Sequence, residues 1–353
     1  MASYQLLKTI EDDGMRVRTA ERLLALREQL NSEIPAKTAT ETLLLATWNI
    51  RDFGDGRTLE SCHYIAEIID HFDIVVVQEI SAYHLGGFQT VMSILGDNWS
   101  YIMSDGVAGG TGGNEAMAFV FNVNKVKPTG MVGEVVLPPE ELINGLQFAR
   151  TPYMASFRAG WFDFKLCTVH IYYGDESKEK NEEGVVTRRI NEIGAIASNL
   201  LARQKKEDIS YILLGDFNIP DINGKYFNAL ASDPKKGFFV PKEIQKHPTD
   251  LGQVSHYDQI AFKLKLSQSM VLFKDGEQKA GAFNFTKSVY RHSDEVSDWE
   301  VYRYLFDPKN EKTEKQAIAS YKKKRTWQMS DHLPLWVELK IDFSDQYLKN
   351  QIK

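Results

Sequence analysis

The sequence predicts an α/β (α+β) chain built on mixed β-sheets, and three observations predict it. Runs such as Ile74-Val75-Val76-Val77 and residues 211–214 are short and apolar, the pattern of strands buried on both faces. Longer stretches with apolar residues at helical spacing separate several of them. Residues 58–72 are one. Thr187–Gln204 is another, with Ile190, Ile193, Ile196, Ala197, Leu200 and Leu201 on one face. Finally, Tyr153–Ala159 and Phe162–His170 read as a hairpin, which sets the chain apart from a purely doubly wound fold.

The chain has 353 residues, 43% of them hydrophobic, enough for one large domain or two smaller ones. Charged residues make up 25% and aromatics 11%, as in ordinary soluble globular proteins. No apolar run approaches a membrane span. The N-terminal stretch carries Glu11, Asp12 and Asp13 and lacks an apolar signal core, so a cytoplasmic setting is expected. Cys62 and Cys167 are the two cysteines. They exclude a disulfide framework and read as inert buried thiols. A net charge of -6 argues against a broad basic face for nucleic acid. It leaves room for a local site where a cation neutralises phosphate.

In chain order, residues 15–31 form an amphipathic helix with Val17, Ala20, Leu23, Leu24, Leu26 and Leu30 on one side. Residues 31–42 are polar, contain a proline and read as a linker, so 1–42 is an N-terminal helical extension with its linker. A larger domain follows over 43–345. Strands are expected at 43–48, 73–78, 115–122, 125–137, 211–214, 257–263 and 333–341, with a helix at 88–95. The glycine-rich stretch 106–113 lacks a following lysine, hence the P-loop pattern, and reads as a loop. Residues 175–183 are a charged, solvated loop. Residues 273–328 are rich in aromatics and charges and read as an ordered insertion. Its aromatics are expected to form a small satellite core.

Polar residues suited to metal or phosphate chemistry sit just past the ends of the apolar runs. Asn49 follows 43–48, Glu79 follows 75–78, His170 follows 166–169, and Asp216 and Asn218 follow 212–214. Asp258 opens a strand, and Asp331 and His332 directly precede another. Strands lying side by side would gather these residues on one rim. Acid and amide oxygens suit magnesium or manganese, with calcium as an alternative, and no zinc-spaced cysteine–histidine cluster exists. The histidines then become acid–base candidates. Alternation of side chains in an extended chain places Asp216 and Asn218 on one side with Phe217 in the core, although an Asx turn ending a strand explains the same residues. His63, His71, His84, His247, His256 and His292 lack such contexts and read as structural. Asp52 and Asp55 read as solvated loop residues.

Five segments resemble the endonuclease/exonuclease/phosphatase superfamily, whose members include deoxyribonuclease I and exonuclease III. They are Thr47-Trp48-Asn49, Val77-Gln78-Glu79-Ile80, Gly215-Asp216-Phe217-Asn218, Tyr257-Asp258-Gln259-Ile260 and Ser330-Asp331-His332-Leu333-Pro334, in the family order. The resemblance implies a four-layer αββα sandwich of two mixed sheets with the site at one end. It implies that Asn49, Glu79 and Asp331 hold a divalent metal. Asp216 and Asn218 would orient the nucleophile and the phosphate, and His332 with Asp258 would be the general base or a phosphate contact. Thr168-Val169-His170 with Glu115 resembles the deoxyribonuclease I arrangement, in which a glutamate orients the histidine. Arg150-Thr151-Pro152 resembles a segment that contacts substrate phosphate. The substrate implied is nucleic acid, DNA ahead of RNA. The alternatives are a small or lipid-derived phosphoester and a catalytically silent phosphate-binding module. The run Lys322-Lys323-Lys324-Arg325 reads as a solvated face, with a phosphate-guiding role as the minority reading.

Overall fold

Alternation along the strands builds two buried faces at once. In β1 (Thr42–Phe53), Leu43 and Leu45 lie in one apolar cluster, while Leu44, Ala46, Trp48 and Ile50 lie in a second. In β2 (Ile74–Ser81), Ile74 and Val76 join the first cluster, and Val75, Val77 and Ile80 join the second. A strand apolar on both faces needs a layer on each side. The computed structural model supplies them, and it describes residues 2–352 apart from 107–113, 175–178, 182–185, 232–236, 275 and 294. The glycine-rich stretch from residue 107 onward and most of the charged stretch 175–183 therefore lie outside the described residues.

The first sheet has six strands in the order β10-β11-β1-β2-β4-β3. Besides β1 and β2 it contains β3 (Trp99–Met103), β4 (Glu115–Asn122), β10 (Ala280–Ala282) and β11 (Leu335–Lys340). The second has five in sequential order: β5 (Val126–Glu134), β6 (Tyr153–Ala159), β7 (Phe162–His170), β8 (Ser210–Asp216) and β9 (Asp258–Lys263). Helices α1 (Asp13–Glu33), α2 (Leu59–Asp70) and α3 (Gly86–Leu95) cover the outer face of the first sheet. Helices α4 (Thr187–Gln204) and α5 (Lys225–Leu230) cover the second, and the short α6 (Lys242–Gln245) lies beside β10 and β11. The result is the four-layer αββα sandwich of two mixed sheets.

Both β1 and β2 run beyond the expected ends. Pairing of β1 with β2 is irregular between Asn49 and Phe53, and that of β2 with β4 between Val77 and Ile80. Such bulges let a strand continue while re-aiming a side chain. Glu79 sits at the second with φ 61°. The 99–103 strand carries one buried residue in five, which hides its alternation in the sequence.

The N-terminal helix is a working part of the helical layer. It starts at an Asp12 cap whose carboxylate accepts the Met15 N–H (2.6 Å), and it extends to Glu33, taking in the first three residues of the expected linker. Fully buried Glu60 of α2 binds Arg18 of α1 through two bonds (2.9 and 3.1 Å), Tyr64 Oη (2.7 Å) and Tyr302 Oη of the insertion (2.9 Å). The insertion ends in α7 (Glu314–Gln328), started by a capping box between Thr313 and Gln316. Its Tyr290 and Tyr302 rings stack at 4.3 Å. Phe283, Phe285, Tyr290, Tyr302 and Tyr321 share the apolar cluster of α1, α2 and the first sheet. The expected satellite core is thus part of a main core, because α1 and α2 leave an apolar groove that these rings fill. A last helix, α8 (Ser344–Gln351), follows β11. Among the described residues no helix is long and apolar enough to cross a membrane.

Candidate active site

Strand register explains why the candidate residues meet. On the face of β1 that looks across to the second sheet, Leu43 and Leu45 give way to Thr47 and Asn49. Aligned beside them are Ile74, Val76 and Gln78 of β2. In β4 the same row reads Phe121, Phe119, Met117, Glu115. The facing rows of the second sheet are Leu166-Thr168-His170, Ile212-Leu214-Asp216 and, running the other way, Phe262-Ile260-Asp258, with His170 paired to Asp216 and Asp216 to Asp258. Each row passes from apolar to polar as it nears one edge. Near that transition Gln78 Nε2 donates to Thr168 Oγ1 (3.0 Å), a buried bond between the sheets.

Gly215 makes this packing feasible. Its φ is 131°, and a Cβ there would lie 2.2 Å from the Val169 carbonyl oxygen. Only glycine fits. Beyond it Asp216 Oδ1 accepts the Asn218 N–H (2.8 Å), so the segment is an Asx turn as well as a site. Asn218 takes φ 53° and donates its side-chain amide to Ile171 O (2.8 Å), while Phe217 is buried.

Asp216 is the centre. Its Oδ2 lies 3.0 Å from Asn49 Nδ2, 3.5 Å from His170 Nε2 and 3.8 Å from His332 Nε2. Each imidazole is held from behind by a carboxylate: His170 Nδ1 is 2.9 Å from Glu115 Oε2, and His332 Nδ1 is 2.8 Å from Asp258 Oδ2. Both rings therefore present Nε2 to the same oxygen. Burial by itself lowers both histidines. For His170 the Glu115 bond and the charges of Asp216 and Glu79 outweigh burial and Arg150 and raise it. For His332, Asp258, Asp216 and Asp331 do so, leaving it well above the ordinary histidine value. Burial pushes the Asp258 carboxyl up, against the pull of His332. Glu115 goes the other way: burial would raise it, but His170 and Arg150 hold it down at about 2.

The expected cation ligands are only partly assembled. Asn49 gives Nδ2 to Glu79 Oε1 (2.8 Å) as well as to Asp216, and its Oδ1 is buried with no hydrogen-bond partner. A buried amide oxygen without a donor, beside a carboxylate, suits a hard cation. Asp331 is instead tied to Arg51 Nη1 (3.0 Å) and is partly exposed. Among the described residues Asp216, Asp258 and His332 also bring ligand atoms within 4.8 Å of one another. Arg150, expected on substrate phosphate, forms a two-bond pair with Glu115 (2.6 and 3.1 Å).

Sequence reasoning missed the clamp behind the rim. Arg189 of α4, fully buried, donates to the carbonyls of Tyr172 (3.2 Å), Tyr173 and Asn218 (3.0 Å). Buried Glu192, one turn on, accepts the N–H groups of Ala149 (3.0 Å) and Tyr172 (3.2 Å). One helix thus fixes the segments that carry Arg150, His170 and Asn218. Two charged residues three apart on a helix read as surface from sequence alone. Burial reveals the role.

No protein-family model matches the chain. It is 31% identical to a deoxyribonuclease of Thioalkalivibrio sp. (strain K90mix) over 188 residues, 52% of this chain and 48% of that protein. It is 28% identical to deoxyribonuclease-1 of Rattus norvegicus over 197 residues, 50% of this chain and 60% of that protein. The chain thus matches about half of the first relative's length and three fifths of the second's. Among solved structures, an endonuclease/exonuclease/phosphatase family protein from Bacteroides thetaiotaomicron aligns with TM-score 0.54 and 17% identity, covering 86% of this chain and 97% of that one. A mannosyl-6-phosphatase from Bacteroides thetaiotaomicron VPI-5482 aligns with TM-score 0.52 and 17% identity, over 84% and 99% of the two chains. Over about half of its length the chain is thus similar in sequence to deoxyribonucleases, and it has the αββα fold of endonuclease/exonuclease/phosphatase family proteins.

Proposed function

We propose that the protein is a metal-dependent phosphodiesterase of the nuclease type that hydrolyses nucleic acid, DNA ahead of RNA. The observation that carries this reading is the convergence of two carboxylate-backed imidazoles on Asp216 Oδ2, next to the Asn49 and Glu79 oxygens. Similarity to two deoxyribonucleases supports the choice of DNA.

In the proposed reaction water attacks phosphorus and the bond to the 3′ oxygen breaks, leaving a 5′-phosphate and a 3′-hydroxyl. Asp216 orients the water and accepts its proton. The Nε2–H groups of His170 and His332 face the non-bridging and leaving oxygens, and one of them returns a proton to the departing alkoxide. Glu115 and Asp258 keep both rings turned so that Nε2 points inward. Asn218 fixes the turn that aims Asp216. Arg150 adds positive charge beside the phosphate. Asn49 and Glu79, with Asp331 if it leaves Arg51, would hold a magnesium or manganese ion, which supplies charge stabilisation to the phosphate when bound.

Asp216→Ala and His332→Ala should each lower magnesium- or manganese-dependent plasmid cleavage by about 10³-fold, with far-UV circular dichroism unchanged. Full activity in either variant would reject the mechanism. Chelation with EDTA should stop the reaction. A panel of plasmid, single-stranded DNA, RNA and inositol phosphates distinguishes the alternatives: turnover of inositol phosphates alone would replace the nuclease reading with a small-phosphoester one.

A further inference from the structure

We propose that the surface between α7 and the loop after β1 is a subsite for a nucleotide flanking the scissile phosphate, with Trp327 as the stacking platform and Lys324 as the phosphate contact. The proposal rests on the phosphodiesterase reading of the rim and extends it to the substrate's neighbouring residues.

A cavity of about 340 Å³ lies there, lined by residues that include Asp52, Gly56, Arg57, His84, Lys324 and Trp327. It shares a wall with the active site, because the Asp52 N–H donates to Glu79 Oε2 (3.0 Å). Lys324 and Trp327 stand three residues apart on α7, one above the other on one helix face. The Trp327 side of the helix meets a second cavity of about 390 Å³, which Lys323 and Lys324 also line. Trp327 is 37% exposed, and its indole N–H has no hydrogen-bond partner among the described residues. Lys324 forms no ion pair with a carboxylate among them.

The platform is fixed in place. The Arg51 guanidinium carbon lies 4.5 Å from the Trp327 ring centroid. The same guanidinium donates to Asp331 Oδ2 and Thr326 Oγ1, both at 3.0 Å. Arg51 is two residues from Asn49 on β1, so the indole is keyed to the strand that carries the site. Of the two acids of the cavity, the Asp55 carboxylate is already engaged. Asp55 accepts the Gly86 N–H (2.7 Å) and faces His84 Nδ1 (3.2 Å). Asp52 takes φ 43° and is held through its main chain, its carbonyl accepting Arg57 Nη1 (2.7 Å).

A half-exposed indole beside an unpaired ammonium, at the edge of a phosphodiester site, matches the chemistry of a base followed by a phosphate. A small phosphoester has no second nucleotide to place there. On a chain with net charge -6, attraction for a polyanion has to be local, and α7 is where it is offered. The basic run thus acquires the phosphate-guiding role, through Lys324.

Steady-state kinetics with magnesium on bis(p-nitrophenyl) phosphate and on short single-stranded DNA and RNA oligonucleotides test this. Trp327→Ala should raise KM for an oligonucleotide about tenfold and leave kcat/KM on the minimal diester unchanged, while Trp327→Phe restores most of the loss. Lys324→Ala should reduce the slope of log affinity against log salt by about 0.7. Unchanged oligonucleotide KM in Trp327→Ala, or an equal loss on both substrates, would overturn the subsite. Fluorescence anisotropy of labelled oligonucleotide with calcium in place of magnesium separates the two readings. If the unaltered protein cleaves nothing yet binds oligonucleotide in a Trp327-dependent way, the phosphodiesterase reading falls and the subsite stands. Binding indifferent to Trp327 rejects the subsite whatever the turnover. Comparison of the DNA and RNA arms identifies which strand it accepts.

Discussion

His170 and His332 at the rim and His63 in the helical layer are all buried, at 6%, 9% and 0% exposure, yet they are driven in opposite directions. The rim histidines are raised and His63 is lowered to about 4. Burial disfavours the charged ring in every case, so the difference lies in the partners. Each rim ring has a carboxylate within 2.9 Å of Nδ1, whereas burial alone acts on His63. His63 lies on α2, in stacked orientation 6.3 Å from the Tyr4 ring. One residue type is thus driven toward its charged form at the rim and toward its neutral form in the helical layer, and the neighbouring acid decides which.

Breaking the rim pairs tests this most strongly. Asp258 is buried with His332 as its main counter-charge, whereas Glu115 divides itself between His170 and Arg150. Asp258→Asn should therefore lower kcat by about 10²- to 10³-fold with little change in KM. Glu115→Gln should lower kcat less and also raise KM, since it loosens Arg150. Identical kcat and KM changes in the two variants would show that the shared arginine does not matter.

A smaller effect is expected behind the rim. Arg189→Met removes the donors to three main-chain carbonyls and should destabilise the protein by about 3 kcal/mol in denaturant unfolding. It should also lower kcat about tenfold through Asn218 and Tyr172, with Arg189→Lys recovering part of both. Loss of stability with unchanged kcat would make the clamp purely structural.

The smallest effect concerns His63. Its folded value lies below the unfolded one, so the unfolded chain takes up the proton first, and stability falls as pH drops from about 6.5 toward 4. The raised rim histidines act oppositely: their contribution is full at low pH and fades as pH rises through their folded values. His63→Leu should remove up to roughly 3 kcal/mol of the acid-side loss while changing activity at neutral pH little. Thermal unfolding between pH 7 and pH 4 is the measurement. An unaltered acid limb would place the loss elsewhere.

Much of the site was legible in the sequence because it is carried on strand ends. Period-2 alternation and polar residues at the ends of apolar runs are local signals, and the hairpin Tyr153–Ala159 with Phe162–His170 and the helix Thr187–Gln204 have the bounds the sequence predicts. What stayed hidden depends on partners distant in sequence. The continuation of β1 and β2 past Asn49 and Glu79 needs bulged pairing with neighbouring strands. Asp331 keeps its place in the resemblance, but Arg51 holds it in the structure, and nothing in Ser330-Asp331-His332 reveals that pair. The buried pair Arg189 and Glu192 looks like solvated helix surface until three loops close over it. Thr313 and Gln316 did spell a capping box for α7, a local signal overshadowed by the aromatic and charged residues around it.

The rows of facing side chains that turn from apolar to polar give the sandwich unequal seams. At one end Leu43, Ile74, Phe121 and Phe262 knit the sheets together, while toward the rim the joins turn polar, through Gln78 with Thr168, Asn49 with Asp216 and Glu115 with His170. The sandwich is therefore bound by apolar packing along one edge and by polar pairs along the other, where, on the proposed function, substrate and cation would act as a clasp. Amide hydrogen exchange should proceed from the open edge inward, slowed first where phosphate binds, so ligand occupancy is written into the stiffness of the whole molecule as well as into its chemistry.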